Sequence, residues 1–270
     1  MPNNAKNAIS VVVVILVAGV LAGSIYFWYR QQKAPVVVTP AVKPPPNLQP
    51  PAPPAPLVHY PVPKPVVPTK KPLPSLAKSD ATMTRVLTGF FGRGSVEELL
   101  VPRQIIHRFV VLVDSLPQSS LPMRFRLFRP VAGQFLISGP EDSPVLDPKN
   151  YRRYTPYMLM AQAVSSKALV AAYIRFYPLL QQEYRKMGYP HGYFNDRVVA
   201  AIDNMLATPD VKEPIALVRP NVLYQFSDPK LEALSAGQKI LIRMGPQNAA
   251  RIKAKLEQIR RDLTGQVSKR

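Results

Sequence analysis

Residues 104–114 read Gln-Ile-Ile-His-Arg-Phe-Val-Val-Leu-Val-Asp and carry a clear helical signal. Apolar side chains recur there at the spacing of an α-helix, so the pattern predicts a helix that buries Ile106, Phe109, Val110 and Val113. A helix of this kind is stable only when other elements cover its apolar face. We therefore expect the surrounding sequence to supply further helices.

Three stretches on the C-terminal side show the same periodicity. Pro178 is expected to kink or break the first of them near Tyr177, because proline removes a backbone N–H donor. Asn195 or Asp196 can cap the second, and the third covers about 247–264. The apolar faces of the three comprise Leu169, Tyr173, Phe176 and Leu180; Val198, Val199, Ile202 and Leu206; and Ile252, Leu256, Ile259 and Leu263.

Two stretches indicate extended backbone instead. Residues 124–137 alternate around Pro130, and residues 215–226 are interrupted by Arg219-Pro220-Asn221. Each favours short strands or a hairpin. The sequence thus predicts a mainly α fold with a minor β-element, in a single helical globular domain at 78–265 that precedes a C-terminal tail at 266–270.

The N-terminal region has the properties of a membrane anchor. No side chain from residue 8 to residue 28 is charged, and a run of about 20 apolar residues is long enough to cross a bilayer as a helix. Tyr26, Trp28 and Tyr29 end the run, where aromatic rings favour the interface. We expect a short tail at 1–7 and a transmembrane helix at 8–29, which is a signal anchor. The alternative is a cleaved signal peptide, but its apolar core would be shorter and an Ala-x-Ala site would follow.

A proline-rich tether is expected between this helix and the domain, at residues 30–77. Residues 34–77 contain 16 prolines, which suppress both helix and sheet. A disordered linker with much polyproline II could extend on the order of 100 Å. The tether would therefore carry the domain well away from the bilayer.

The charge distribution bears on partners and orientation. The net charge is +19, the first acidic residue is Asp80, and residues 80–270 carry +11 of the total. Such a domain suits anionic partners, although a solvated basic surface is the simpler interpretation. Cations flanking the helix lean slightly towards a cytoplasmic C-terminus, but long domains translocate largely regardless of charge. We expect a single-pass protein of the bacterial inner membrane with a periplasmic domain, and a cytoplasmic domain stays open as the alternative.

Few residues offer metal or redox chemistry. The chain has no cysteine, which excludes disulfides and cysteine-ligated metals, and its histidines are scattered at His59, His107 and His191. No histidine pair has the spacing of a metal site, so we expect neither a metal nor a cofactor.

Two sets of residues are candidates for a functional site. An unrecognised catalytic pocket would need His107, Asp114, Tyr193, Asn195 and Asp196 to converge, although His107 and Asp114 would lie about 10 Å apart on one helix. For Asp196, stabilisation of a helix start is the simpler role. Arginine forks bind carboxylate and phosphate, which makes a second set a candidate for anion or partner binding. Pairing with the domain's own acids is again the simpler alternative for this set, which comprises Arg124 and Arg126 on one face of a possible strand, Arg152 and Arg153 beside two tyrosines, and Arg251 and Lys255 on the last helix.

Four separated blocks of sequence follow one another along the domain. They are Phe-Val-Val-Leu-Val-Asp-Ser-Leu-Pro at 109–117, Asn-Tyr-Arg-Arg-Tyr at 150–154, Tyr-Pro-Leu-Leu-Gln-Gln with Gly-Tyr-Pro and Tyr-Phe-Asn-Asp-Arg within 177–197, and Phe-Ser-Asp-Pro with Leu-Glu and Gly-Gln-Lys within 226–239. In this order they resemble a proteobacterial family of unknown function (domain of unknown function three-zero-one-four). The resemblance covers about residues 75–262, and Ser115 stands where the family usually has Asn. It implies a membrane-anchored envelope protein with a variable proline-rich linker and implies no activity.

The favoured hypothesis is a non-enzymatic, membrane-anchored envelope protein whose tethered basic domain binds another envelope protein or an anionic polymer. An enzyme with an unrecognised site is the first alternative. Nucleic-acid binding is the second and requires a cytoplasmic domain.

Overall fold

The computed structural model describes residues 58–64 and 72–265 of the 270-residue chain. The expected N-terminal tail, the transmembrane helix at 8–29, most of the tether and the C-terminal tail lie outside the described residues. All the described residues belong to one compact unit.

More than half of the described residues are helical, and the strands are two residues long each, which confirms a mainly α domain with a minor β-element. Three short 3₁₀ helices lie at Leu76–Lys78, Met123–Phe125 and Pro148–Tyr154. The α-helices are α1 Ser79–Phe91, α2 Arg93–Leu99, α3 Ile105–Ser115, α4 Thr155–Gln162, α5 Ser166–Lys186, α6 Phe194–Leu206, α7 Pro229–Glu232, α8 Ala236–Arg243 and α9 Pro246–Thr264. The strands are β1 Ile137–Ser138, β2 Val145–Leu146, β3 Leu217–Val218 and β4 Gln225–Phe226.

Helices α3, α5, α6 and α9 form the main core. The predicted helix at 104–114 is confirmed as α3, which buries Ile106, Val110 and Val113, whereas Phe109 is only partly covered. Helix α9 lies against both α5 and α6. Because the four helices cover one another's apolar stripes, they hold α5 and the start of α6 in a fixed relation, which matters for the site described below.

Two antiparallel hairpins make the β-element. Ile137 pairs with Leu146 in the first, and Leu217 pairs with Phe226 in the second. The second confirms the predicted hairpin within 215–226. A separate cluster of buried apolar residues lies beneath the hairpins, at Leu146, Ile215, Leu217, Phe226 and Ile242.

The prediction of a strand through Arg124 and Arg126 is wrong. Arg124 lies in a 3₁₀ helix, and Arg126 follows that helix directly. The buried guanidinium of Arg108 accounts for this, since it donates to the carbonyls of Arg124 and Arg126 at 3.1 and 2.9 Å. Those carbonyls would otherwise need partners on a neighbouring strand.

The predicted break at Tyr177 is also wrong, because α5 continues through Pro178 to Lys186. Pro178 is itself exposed, whereas its neighbours Phe176, Leu179 and Leu180 are buried. A proline inside a helix costs about 3 kcal/mol, and burial of one large apolar side chain returns about 1.5–3 kcal/mol. The buried neighbours therefore outweigh the cost of the proline.

The start of α6 differs from the prediction as well. Tyr193 is the N-cap residue and no side chain of the described part of the chain caps the helix, so neither Asn195 nor Asp196 does so. Both residues lie in the first turn, and their side chains bind a distant part of the chain instead.

Among the described residues, no single helix is long and apolar enough to cross a membrane. Only a bent pair, Pro148–Gln162 with Ser166–Lys186 at 72° to each other, passes the same test of length and composition when taken together.

Candidate functional site

An extended stretch of the proline-rich region lies against the N-terminal end of α6. We call residues 58–64 the docked segment. The N–H groups of His59 and Tyr60 donate to the two carboxylate oxygens of Asp196 at 3.1 and 2.7 Å. The Asn195 amide donates to the Tyr60 carbonyl at 2.8 Å. The Val62 N–H donates to the Tyr193 hydroxyl at 2.9 Å. Tyr193, Asn195 and Asp196 hold this segment, and Tyr173 and Tyr177 contact them from α5. These five residues are here named the tyrosine groove.

The order of prolines in the docked segment matches the order of acceptors in the groove. Backbone N–H donors are present at His59, Tyr60 and Val62, and each has an acceptor on the domain. Pro61 and Pro63 stand at the two remaining positions, where proline has no donor to satisfy. No N–H from 59 to 63 is therefore left without a partner.

Asn195 is held rigidly inside the domain. It is 0 % exposed, and its Oδ1 accepts a hydrogen bond from the Tyr173 hydroxyl at 2.9 Å. That bond directs the amide nitrogen towards the Tyr60 carbonyl. Because the amide is already oriented, it loses little conformational entropy when it binds the segment.

Gln181 fixes the loop that enters α6. Its Nε2 donates to the Gly192 carbonyl at 2.8 Å. Its Oε1 accepts from the Tyr177 hydroxyl at 2.7 Å and from the Phe194 N–H at 2.8 Å. One buried amide thus connects the tyrosines of α5 to the first turn of α6, where the groove residues lie.

The three groove tyrosines form a continuous row of rings. Ring centroids are 5.7 Å apart for Tyr173 and Tyr177, and 5.6 Å apart for Tyr177 and Tyr193. Burial is the largest cause that raises the pKa of both the Tyr173 and the Tyr177 hydroxyl above the ordinary value. Both hydroxyls therefore stay protonated at neutral pH and act as hydrogen-bond donors, not as bases.

Asp196 is the only charged member of the groove. Its side chain is 22 % exposed and lies in the first turn of α6, where the helix dipole favours a negative charge. Its carboxylate is occupied by two backbone N–H groups, with the His59 ring 3.4 Å away. Each carboxylate oxygen therefore holds one backbone N–H of the docked segment.

Tyr60 also contributes its side chain. The pKa of Arg260 is raised chiefly by its hydrogen bond to Asp203, and the nearby Tyr60 acts in the same direction. Arg260 belongs to α9, so the Tyr60 side chain lies close to this helix as well as to α6.

Of the five residues predicted for a pocket, the structure brings together Tyr193, Asn195 and Asp196. His107 instead lies 2.7 Å from Glu183. Asp114 accepts from Arg197 at 2.8 Å and from Tyr189 at 3.1 Å. The two residues are bound to separate partners and do not complete a catalytic set with the other three.

The six candidate cations are not gathered into one site either. Arg153 donates to the carbonyls of Ala132 and Gly133, and Lys255 donates to the Val164 carbonyl. Burial lowers the pKa of Lys255. Four of the cations have exposed side chains with no ion pair or hydrogen bond to another side chain in the part of the chain that the structure describes, namely Arg124, Arg126, Arg152 and Arg251.

Sequence reasoning missed the ligand and part of the groove. Neither the docked segment nor Tyr173, Tyr177 and Gln181 was assigned a binding role. One signal was present: Tyr60 is the only tyrosine between Tyr29 and Tyr151, and it begins Tyr-Pro-Val-Pro. Within the described residues no group of three or more His, Asp or Glu side chains could hold a metal ion.

Fold and groove together define a helical domain that holds an extended, proline-containing stretch of chain. Residues 105–260 match the family described as a protein of unknown function (DUF3014), and the chain belongs to that family. The match includes every residue of the groove and Arg260, and it begins after the docked segment. No curated protein and no solved structure showed significant similarity to the chain.

Proposed function

We propose that this chain is a membrane-anchored protein of the bacterial envelope whose domain is a binding module for extended, proline-containing segments. One observation carries the proposal: the groove supplies an acceptor to every N–H of residues 59–63 and a donor to the Tyr60 carbonyl. Bonds to the backbone give affinity for extended chain, and tyrosine rings suit proline-rich ligands.

The chemistry of the groove favours binding over catalysis. The Tyr173 and Tyr177 hydroxyls have raised pKa values, and each oxygen of the Asp196 carboxylate accepts an N–H of the docked segment. A general base would need to lie within hydrogen-bond reach of a substrate proton, and here the carboxylate holds backbone instead. The enzyme hypothesis therefore receives no support from this site.

The basic surface supports a second candidate, which is the binding of an anionic envelope polymer. Arg152 and Arg251 are exposed. Asn248, one turn before Arg251, donates to the Tyr151 carbonyl at 3.2 Å, so the two arginines extend from adjoining elements. The guanidinium of each arginine can bind a carboxylate or phosphate through two of its N–H groups.

Free peptide is expected to bind the groove once the chain's own segment is disabled. The variant Val62→Pro removes the N–H that reaches Tyr193, which should weaken docking of the chain's own segment by about tenfold without touching the domain, so that excess peptide can compete for the groove. A labelled peptide with the sequence of residues 56–66 should then bind the full-length variant in fluorescence anisotropy. Adding Asp196→Asn should weaken this binding by about 10-fold or more, because a hydrogen bond to a charged group contributes about 1.5–3 kcal/mol.

Asp210→Asn is the matched control, since Asp210 is fully exposed and pairs only with Lys253 among the described residues. It should leave peptide affinity unchanged. Equal affinities for the Asp196 and Asp210 variants, or no binding to Val62→Pro at all, would contradict the proposed function.

The envelope location is tested independently by an alkaline phosphatase fused to the C-terminus. We expect enzyme activity, because the phosphatase is active only after export. An inactive, stably expressed fusion would place the domain in the cytoplasm and would restore the nucleic-acid alternative.

A further inference from the structure

The ligand of the tyrosine groove is carried by every copy of the chain. The sequence Tyr-Pro-x-Pro occurs once, at residues 60–63, so each copy holds one groove and one ligand. The observed hydrogen bonds join the backbone of residues 59–62 to side chains of the groove, and none of them requires that the segment and the groove belong to the same chain.

The segment is held at the surface and not in the core. Val58, Pro61 and Lys64 are exposed, the His59 side chain is 71 % exposed, and Tyr60, Val62 and Pro63 are only half-buried. No residue of the segment belongs to the apolar clusters of the core, so its release leaves those clusters intact. An element of this kind can exchange between copies.

From these two features, and on the basis of the proposed function, we infer that residues 58–64 of one copy occupy the tyrosine groove of a second copy. The occupant is thus a second copy of this chain. With one groove and one segment per copy, reciprocal exchange saturates both sites and closes as a two-fold dimer.

Residues 65–71 join the docked segment to the first described residue of the domain, Pro72. They form the same connection whether the segment binds its own domain or another. Binding within one copy benefits from an effective concentration in the millimolar range, so exchange becomes favourable when copies are concentrated to a similar degree. Two chains anchored in one bilayer, as the proposed function requires, would meet this condition.

The cysteine-free chain permits a direct test with single thiols. One full-length population carries His59→Cys, which keeps the backbone N–H that donates to Asp196 and replaces only the mostly exposed ring. The other carries Ala200→Cys, an exposed position one turn after Asp196 on the same face of α6. Each chain has one thiol, so a short bismaleimide can join positions 59 and 200 only between copies. We expect a cross-linked dimer of the two populations when they are mixed in lipid vesicles.

Val62→Pro, added to the chain that carries His59→Cys, should lower the yield of this dimer by about tenfold, since it removes one backbone bond to the groove. Val58→Pro is the matched control, because the Val58 N–H has no acceptor among the described residues, and it should leave the yield unchanged. A dimer that is insensitive to Val62→Pro would overturn the inference, because it would reflect random collision.

A chain with both thiols separates the inference from the proposed function. An internal cross-link in that chain, without a dimer in the mixed sample, means that docking occurs only within one copy; the inference then fails and the proposed function stands. Absence of a cross-link in both samples means that the segment does not dock, and both proposals fail.

Discussion

Gly245→Ala is expected to lower the free energy of unfolding by about 3–5 kcal/mol, the sum of a strained backbone and an overpacked contact. Gly245 has φ 87° and ψ 159°, a conformation that is open almost only to glycine. A Cβ at this position would lie 2.5 Å from the nearest atom of the Tyr151 ring. Both effects act at the residue that precedes α9.

The Tyr151 ring cannot easily retreat from the added carbon. The Tyr151 hydroxyl donates to Glu213 at 2.6 Å, and the Tyr151 backbone carbonyl accepts from Asn248 at 3.2 Å. Burial, followed by the bond to Glu213, raises the pKa of the Tyr151 hydroxyl, so the hydroxyl remains a donor across the neutral range. These two hydrogen bonds fix the hydroxyl and the backbone of Tyr151, so its ring stays beside Gly245.

Gly92→Ala is the matched control. Gly92 has nearly the same conformation, φ 79° and ψ 154°, but nothing lies within 4 Å of its ideal Cβ. It should cost only the backbone strain, about 1–3 kcal/mol. Urea unfolding of the full-length variants measures both values. Equal destabilisation at the two glycines would show that the Tyr151 contact contributes nothing.

Arg108→Met is expected to destabilise the domain by about 3–5 kcal/mol, because three hydrogen bonds from one charged group are lost together. Arg108 is 4 % exposed, and its guanidinium donates to the carbonyls of Arg103, Arg124 and Arg126 at 2.9, 3.1 and 2.9 Å. Burial lowers the pKa of this guanidinium, yet an arginine remains charged at any ordinary pH. Methionine fills a similar volume but leaves the three carbonyls without their donor.

Arg152→Met provides the comparison for Arg108, since Arg152 is exposed and its replacement should change the free energy of unfolding by no more than about 0.5 kcal/mol. The midpoint of urea unfolding checks both variants. A loss at Arg108 no larger than that at Arg152 would mean that water replaces the guanidinium at the three carbonyls. It would also remove the stated reason why residues 124–126 are not a strand.

The helices of the core could be predicted because their signal is local. The periodicity of 104–114 and of 247–264 identified α3 and α9 to within about two residues. The same local reasoning failed at Pro178 and at residues 124–126. In both places a tertiary contribution outweighs local preference: burial of Phe176, Leu179 and Leu180 in one case, and the Arg108 guanidinium in the other.

The groove was recoverable only in part. Tyr193, Asn195 and Asp196 were predicted as part of a pocket with His107 and Asp114, and only these three take part in the groove. Their ligand was not foreseen, since Tyr60 and Asp196 are 136 residues apart in the chain. The candidate arginines showed the opposite error, because residue type alone did not reveal that Arg153 donates to backbone carbonyls.

By itself, the sequence determined the class of fold, the approximate bounds of α3 and α9 and the family, because periodicity and ordered motifs are properties of neighbouring residues. The sequence also predicts a membrane anchor and a tether, and most of their residues lie outside the described part of the chain. Which polar residues come together depends on the tertiary structure. The packing of α5, α6 and α9 places Asn195 and Asp196 beside the docked segment, where they bind its backbone.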